Sequence, residues 1–302
     1  MPYPKVGFRR IDWFPYGLLA PALVVVTGLM LYPLLNTVWL SFYKYSLLDI
    51  LSQEKTWIWF GNYLAIFKDP FFWQVLGNTA LFTAACVIVT MLAGFAVAML
   101  LNVKFPGRAV LGVAVLLPWV IPRVAASIVW KWIFNDQYGI LNYFLVLLGF
   151  DQFKEFSWLT TQMRAFTSIL IVVVWQSFPF VAFSLLAGFQ SISSEIYEAA
   201  EVDGASWWQK LTGITLPLLK NLLLILFILE TVWDFKIFDQ VYVMTEGGPA
   251  QSTYIMGIYA WMEAFGNMMM GKASAIAVIM FAILALVTWL YIRVLSREEE
   301  VA

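Results

Sequence analysis

The sequence predicts an all-α membrane protein, a polytopic bundle of about six transmembrane helices. Of its 302 residues, 62% are hydrophobic and only 12% are charged, whereas a soluble domain carries about 25% charged residues. The apolar residues form runs of about 20 or more, the length that a helix needs to cross the bilayer core. Each run must be helical because lipid cannot satisfy open backbone groups. We therefore expect one transmembrane domain over 1–302, with its core at about 73–294.

Hydrophobic runs define the predicted spans. They cover approximately residues 15–40, 73–101, 108–134, 165–190, 217–244 and 272–294. The apolar segment 136–150 is too short to span and predicts an interfacial or re-entrant helix. An even number of spans puts both termini on one side. Basic residues favour the cytoplasmic side for both ends, mainly through Arg9 and Arg10 before the first span and Arg293 and Arg297 after the last.

Composition excludes several classes of function. The chain has no His and a single Cys, Cys86, so disulfides, Cys/His metal sites and His-based catalytic triads are excluded. A net charge of −1 predicts no nucleic-acid partner. The chain has no Gly-x-x-x-x-Gly-Lys-Ser/Thr loop for nucleotide phosphates. A membrane-embedded enzyme is a remote alternative, because Asp136 and Asp151 lie 15 residues apart without other polar groups. We predict no catalytic residue and no bound metal or cofactor.

A polar loop at 193–217 separates two apolar runs. Ser193 can cap a short helix that ends near Val202. Asp203-Gly204 is a turn signal, since Gly tolerates positive φ, and a second short helix is predicted from Ser206. Pro217 suits the first turn of the fifth span. These features predict a helix–glycine–helix elbow, although on them alone a plain amphipathic connector stays an equal alternative.

The order of residues in this loop resembles the EAA loop of ABC importer permeases. It contains Glu-Ala-Ala at 198–200, Asp-Gly-Ala at 203–205 and Ile-Thr-Leu-Pro at 214–217. After the fifth run, 238–249 reads Phe-Asp-Gln-Val-Tyr-Val-Met-Thr-Glu-Gly-Gly-Pro, which resembles the signature of the first permease subunit in carbohydrate-uptake systems of the maltose and glycerol-phosphate type. Leu211 replaces the usual Phe, and the second Pro often found after the elbow is absent. The resemblance covers nearly the whole chain.

The resemblance implies a type I ABC importer permease fold in which 193–217, here named the coupling loop, docks into a cytoplasmic ATPase subunit. The implied ATPase-coupling residues are Glu198, Ala199, Ala200, Asp203, Gly204, Ala205, Leu216 and Pro217. The implied partners are a second homologous permease, two ATP-binding subunits that hold ATP and Mg²⁺, an extracytoplasmic solute-binding protein and membrane lipid. The implied location is a bacterial or archaeal inner membrane, as a multi-pass protein with both termini in the cytoplasm.

Polar side chains at membrane depth mark a candidate solute path. Glu230 and Asp234 lie four apart and share a helix face. Aligned on the resemblance, the substrate-binding positions are Gln176, Ser177, Phe180, Glu230, Trp233, Asp234 and Ile237. Carboxylates and amides suit sugar hydroxyls and rings suit sugar C–H faces, so we expect a neutral di- or oligosaccharide or polyol. Asn78 and Thr79 are weaker candidates.

Three alternatives remain open. Glu230 or Asp234 could instead form a structural ion pair with Lys236 or Arg123. The solute could be something other than a sugar, although the Gly-Gly-Pro signature argues against this. A secondary transporter that works alone is far less expected, because it would have no use for the coupling loop.

Overall fold

The computed structural model describes residues 14–50 and 55–299, and these are mostly helical. The α-helices of the described part are α1 Phe14–Val26, α2 Tyr32–Leu40, α3 Gly61–Lys68, α4 Pro70–Asn102, α5 Arg108–Val120, α6 Arg123–Ile133, α7 Ile140–Leu147, α8 Gln162–Ser191, α9 Ser194–Val202, α10 Trp207–Lys210, α11 Leu216–Leu218, α12 Lys220–Phe235, α13 Asp239–Thr245, α14 Met256–Trp261 and α15 Met270–Glu299. Shorter elements are the π-helical turns Thr27–Leu31, Leu211–Thr215 and Met262–Gly266, the 3₁₀ turns Leu47–Ile50 and Asp151–Phe153, and the strands β1 Tyr43–Lys44 and β2 Thr56–Trp57. The two strands pair antiparallel, with Tyr43 opposite Trp57.

Four continuous helical segments in the described residues are long and apolar enough to cross a membrane: Leu18–Leu40, Pro70–Asn102, Gln162–Ser191 and Met270–Arg293. Two further segments qualify only as bent pairs. Helices α5 and α6 meet at 100°, and Trp207–Leu218 meets α12 at 68°. The prediction of about six spans is therefore met when each bent pair is counted as one. The segment predicted as interfacial contains the eight-residue helix α7, which is too short to span.

The prediction of a continuous third span is wrong. Helix α5 ends at Val120 and α6 begins at Arg123, with Ile121 and Pro122 extended between them at ψ 130° and 134°. Proline lacks the backbone N–H and disfavours the helical conformation in the residue before it, so the chain breaks at Ile121–Pro122. This break, residues 121–122, lies inside an apolar run.

The bounds of the fifth span also need correction. Pro217 lies in α11, before the 68° bend, so the fifth span is broken after Leu218 and its straight part begins at Lys220. Helix α12 then ends at Phe235, and a separate helix, α13, begins at Asp239. The predicted run 217–244 is thus three short helices. Among the basic residues used to orient the chain, Lys5, Arg9 and Arg10 lie outside the described residues.

Helices α4 and α8 pack along each other at the centre of the bundle. Their contact is close because Gly94 of α4 has no side chain: a Cβ there would lie 2.6 Å from Cβ of Val181 on α8. Buried residues of both helices form the core, including Val75 and Val172. Cys86 is fully buried in this core.

We expect Gly94→Ala to weaken this contact. The added methyl group would lie 2.6 Å from Val181 Cβ and 3.1 Å from the Ala182 nitrogen, so the free energy of unfolding should fall by about 1–3 kcal/mol. Gly77→Ala is the matched control, because a Cβ at Gly77 of the same helix meets nothing within 4 Å and should be neutral or stabilising by up to about 1 kcal/mol. Thermal unfolding of the purified protein measures both. Equal midpoints for the two variants would contradict the packing argument.

A polar clip fastens the start of α15 to the first span. Lys272 Nζ lies 2.8 Å from Oε1 of Glu263, and Glu263 is buried. Asn62 Nδ2 donates to the carbonyl oxygens of Ser41 (2.8 Å) and Tyr43 (2.9 Å). Gly271 packs directly against the Tyr43 carbonyl. The ion pair therefore holds α15 to the turn before it, while the contacts of Gly271 with the Tyr43 and Tyr45 carbonyls hold α15 to the segment after the first span.

Candidate functional site

The coupling loop has the predicted helix–glycine–helix form. Ser193 caps α9 by accepting from the Glu195 N–H at 3.3 Å. Gly204 adopts the left-handed conformation at φ +78°, which glycine takes without steric cost. Ser206 and Gln209 then form a capping box at the start of α10, with Ser206 N–H donating to Gln209 Oε1 at 2.8 Å. Each part is fixed by residues within the loop.

Contacts across the elbow brace it into one unit. The hydroxyls of Tyr197 on α9 and Thr215 in the following π-helical turn are 2.9 Å apart. Lys210 Nζ lies 2.6 Å from Glu201 Oε1. Leu211 and Thr215 are buried, so the second arm rests on the bundle. Both arms of the loop are therefore held, by contacts with each other and with the bundle.

The outer side of the coupling loop is apolar and exposed. Val202 is 88% exposed, and Trp207 and Trp208 are 61% and 63% exposed. Of the predicted coupling residues, the exposed ones are Glu198, Ala199, Asp203, Gly204 and Pro217, and the half-buried ones are Ala200, Ala205 and Leu216. Large exposed apolar side chains grouped on a polar elbow indicate a surface that another protein covers. Val202 was not predicted as part of it, although an apolar residue next to Asp-Gly is a visible signal.

A groove of about 520 Å³ lies between this elbow and the end of α4. Met99, Val103, Phe189, Tyr197 and Trp207 line it. The groove separates the outer arm of the loop from the bundle core. The apolar surface of the elbow therefore continues around its side.

The predicted substrate positions fall into two groups in the structure. The buried ones are Gln176, Glu230, Asp234 and Ile237, and the half-buried ones are Ser177, Phe180 and Trp233. All seven lie on α8, on α12 or in the turn that follows α12. Gln176 lies beside the break at 121–122, and Phe180 contacts Trp233, as the following paragraphs describe.

Gln176 holds the break in place. Its Nε2 donates to the Ile121 carbonyl at 3.2 Å, and its Oε1 accepts from Gln240 Nε2 at 3.0 Å. The carbonyl of an interrupted helix needs such a partner in an apolar setting. Gln176 thereby links α8 to the break and to α13. Gln240 was not predicted, because only the fold shows that its amide reaches Gln176.

Two carboxyl groups are buried behind this link. Glu230 is 0% and Asp234 is 3% exposed. Among the described residues, both carboxylate oxygens of Glu230 lack a hydrogen-bond partner. One oxygen of Asp234, Oδ2, lacks one as well. Arg123, the other cation considered as their partner, lies at the start of α6 and is exposed. In the described part of the chain no Lys or Arg nitrogen lies within 4 Å of either carboxylate, so the predicted ion pair is not closed in this conformation.

An aromatic cluster covers the same region from the exposed side. The ring centroids of Phe180 and Trp233 are 5.1 Å apart in an edge-to-face contact. Trp119, in the last turn of α5, stacks on Phe180 at 5.1 Å with the planes 18° apart, and lies 5.8 Å from Trp233. These three residues are named the aromatic triad below. Trp119 was not predicted, and its position between Pro118 and Pro122 was the available signal.

The two weaker candidates serve the structure instead. Asn78 Nδ2 donates to the carbonyls of Ser252 (3.1 Å) and Tyr254 (3.2 Å). Thr79 Oγ1 accepts from the Met256 N–H at 2.9 Å. Both hydrogen-bond sets fasten the segment after α13 to α4, so neither side chain is free for a solute.

Residues 266–272 have the glycine and lysine spacing of a phosphate-binding loop but lack the groups that would bind phosphate and Mg²⁺. The segment reads Gly-Asn-Met-Met-Met-Gly-Lys, but Ala273 stands where Ser or Thr would contact Mg²⁺. Lys272 is paired with Glu263, and the Gly271 N–H donates to the Tyr45 carbonyl at 3.0 Å. The groups that would cradle phosphates are thus engaged within the chain. In the described residues, no group of three His, Cys, Asp or Glu side chains could hold a metal.

Known proteins with a similar fold have been solved. A chain of a bacterial ABC transporter for alginate, in complex with an alginate pentasaccharide-bound periplasmic protein, matches with a TM-score of 0.79 at 18% identity, covering 93% of each chain. A second structure of a bacterial alginate importer matches at 0.78 and 20% identity, over 93% of this chain and 96% of that one. These likenesses confirm the predicted ABC importer permease fold.

Sequence comparison gives closer relatives. The diacetylchitobiose uptake permease of Streptomyces coelicolor is 37% identical, covering 95% of this chain and 88% of the relative. The sulfoquinovosyl glycerol permease of Agrobacterium fabrum is 36% identical over 93% and 90%. The trehalose/maltose permease of Thermococcus litoralis is 34% identical over 96% of both.

A family model described as "Binding-protein-dependent transport system inner membrane component" matches residues 90–298. This range contains the coupling loop, the break and the aromatic triad. It also contains all seven predicted substrate positions. The chain belongs to the family of binding-protein-dependent transport system inner membrane components.

Proposed function

We propose that this chain is one of two permease subunits of an ABC importer that takes up a neutral di- or oligosaccharide or polyol. The observation that carries this proposal is the coupling loop, which is braced from within and exposes Val202, Trp207 and Trp208. A rigid elbow with an apolar outer side suits docking to a motor subunit. A transporter that works alone would have no use for such a surface.

ATP would be bound and hydrolysed on two partner subunits. Residues 266–273 support this, because they come closest to a phosphate-binding loop but lack its Ser or Thr. The lysine of this segment, Lys272, is paired with Glu263. Closure of the ATPase pair would move the elbow as a rigid body. Because α8 leads into the elbow and α12 follows it, that motion would reach the break and the triad through these two helices. Glu198, Asp203 and Gly204 would lie in the contact with the ATPase.

The elbow would face the cytoplasm, with both termini on the same side. This orientation follows from an even number of spans and from the basic residues near the ends of the chain. The opposite face, which includes the clip at Glu263 and Lys272, would then receive the solute-binding protein. A second homologous permease would complete the path.

The sugar class is supported by the relatives and by the site. Three relatives at 34–37% identity are named for carrying diacetylchitobiose, sulfoquinovosyl glycerol, or trehalose and maltose. The aromatic triad, with Ser177, offers ring faces and a hydroxyl, the groups that carbohydrates contact.

Reconstitution of the full complex tests the proposal. We expect the chain to copurify with an ATP-binding subunit, and vesicles carrying the complex to accumulate a sugar only with ATP and the cognate binding protein. The panel of solutes would be maltose, trehalose, diacetylchitobiose and glycerol. Uptake driven by an ion gradient without ATP would favour the lone secondary transporter. Uptake of a non-sugar alone would favour the other transport alternative.

A further inference from the structure

We propose that helix α3, with the tryptophans on either side of it, anchors the chain in the headgroup region of the bilayer where the first two spans end. The surface that would contact lipid consists of Trp59, Phe60, Leu64, Phe67 and Trp73. It is named the interfacial surface below. Its side chains are between 45% and 67% exposed. The inference concerns lipid, so it does not depend on which solute the complex carries.

The interfacial surface is one continuous strip. Phe60, Leu64 and Phe67 recur at spacings of four and three residues, which places them on one face of α3. Trp73 joins this face from α4, because its indole Nε1 donates to the Phe67 carbonyl at 3.0 Å. At the other end, Trp59 extends the strip toward the strand β2. Large apolar side chains grouped in this way indicate a surface that something other than water covers.

Contacts on the opposite face of α3 fix the direction in which the strip points. Asn62 and Ile66 are buried there, and Asn62 makes the two hydrogen bonds to the Ser41 and Tyr43 carbonyls. Trp59 exposes its ring from a backbone in the left-handed region, at φ +53°, which bulky residues rarely adopt. Such strain persists only where the surrounding structure maintains it, and it is commonest where a residue has a contact to make.

The place of α3 in the chain puts the strip at the membrane boundary. The first span ends at Leu40, and the second begins at Pro70, directly after α3 ends at Lys68. Helix α3 has eight residues and is too short to cross the bilayer. Because lipid surrounds both spans, the helix that joins their ends lies where hydrocarbon gives way to headgroups.

The charges around the strip favour lipid headgroups as its partner. Lys44, Lys55 and Lys68 are exposed, whereas no acidic side chain that the structure describes between the first two spans is exposed. Asp69 is half-buried and caps α4. Lysines beside a strip of Trp, Phe and Leu are typical of helices that lie in the membrane interface, where the lysines reach phosphate groups and the rings lie among the upper acyl chains.

The anchor would supply a fixed depth that packing does not give the first span. In the described structure, no residue of Leu18–Leu40 is buried. Its end is instead linked to α3 through aromatic contacts. The ring centroids of Trp39 and Trp57 are 5.4 Å apart, and Phe42 lies 5.5 Å from Trp57 and 5.4 Å from Phe60. The depth of α3 in the interface would therefore set the depth of the first span.

Spin-label accessibility in the reconstituted complex tests this position. The single cysteine, Cys86, is fully buried, so nitroxides can be attached at Leu64→Cys, Phe67→Cys and Ala65→Cys with partner subunits that lack reactive cysteines. Ala65 is the matched control, because it is exposed on the same helix but lies about 100° around the axis from Leu64.

Collision rates are measured with oxygen, which concentrates among acyl chains, and with a nickel chelate, which stays in water. We expect the oxygen-to-nickel ratio at positions 64 and 67 to exceed the ratio at 65 about fivefold. Equal ratios with frequent nickel collisions would place the strip in water and overturn the inference. Rare collisions with both probes at 64 and 67 would mean that protein covers the strip, and would overturn it as well.

A label that prevents assembly does not leave the question open. If Leu64→Cys does not assemble once labelled, the comparison of Phe67→Cys with Ala65→Cys decides by the same ratio. None of these results depends on uptake of a sugar. Failure of the anchor would therefore leave the proposed function intact, and failure of uptake would leave the anchor intact.

Discussion

Replacing Gly204 by Asp is expected to abolish uptake while the protein still folds. Asp tolerates the left-handed conformation better than most residues, and a Cβ at position 204 meets nothing within 4 Å. The substitution should therefore cost the folded chain only about 1 kcal/mol. Its carboxylate would have to lose water against the docked ATPase subunit, a desolvation that is costly without a partner. We expect uptake to fall more than about tenfold, which corresponds to a loss of about 1.4 kcal/mol in coupling.

The measurement is ATP hydrolysis and sugar uptake by the same vesicles. Gly107→Asp is the matched control, because Gly107 also has a positive φ, at +86°, a Cβ added there would meet nothing within 4 Å, and it lies outside the coupling loop. The control should transport normally. Glu198→Lys should behave like Gly204→Asp, since it reverses a charge on the same exposed surface. Normal uptake in both loop variants would refute the docking role of the elbow.

Replacing Glu230 by Gln is expected to lower uptake about tenfold without loss of stability. Removing a buried carboxylate that has no hydrogen-bond partner in the described structure relieves a desolvation cost. The thermal midpoint of the complex should therefore stay the same or rise. Uptake should fall because the substitution removes the Glu230 carboxylate, which would lie beside the proposed solute path opposite Arg123. A drop in both uptake and stability would instead support a structural ion pair.

A double-mutant cycle separates these two roles. Arg123→Met and Glu230→Gln are measured singly and together, and the coupling energy in thermal stability reports the pair. We expect little coupling in stability, because the two groups are more than 4 Å apart in this conformation. Glu246→Gln serves as the control for the substitution itself, since Glu246 is exposed and lies outside α12.

Local signals made the coupling loop predictable. Ser193, Gly204 and Ser206 determine its caps and its turn through contacts with residues at most a few positions away. Such interactions are encoded in short stretches of sequence. The spans at 70–102, 162–191 and 270–293 were predictable for a similar reason, because a long apolar run has one stable form in lipid.

The breaks were not predictable from the presence of proline alone. Pro179 lies inside α8 and Pro21 inside α1, and both helices continue through them. Pro122 ends a helix because the chain also has a partner for the freed Ile121 carbonyl, namely Gln176 from a segment 55 residues away. That partner exists only in the folded bundle. For the same reason, the sequence indicated Phe180 and Trp233 but not the Trp119 ring that joins them.

The 100° bend between α5 and α6 has a consequence for the bilayer around the protein. At 1.5 Å per residue, the 13 residues of α5 reach about 20 Å and the 11 of α6 about 16 Å, and neither alone matches a hydrocarbon thickness of about 30 Å. A solitary copy would force the surrounding lipid to thin or admit water there. We expect a second permease packed at this corner to relieve that mismatch, so that membrane thickness itself favours the assembled pair.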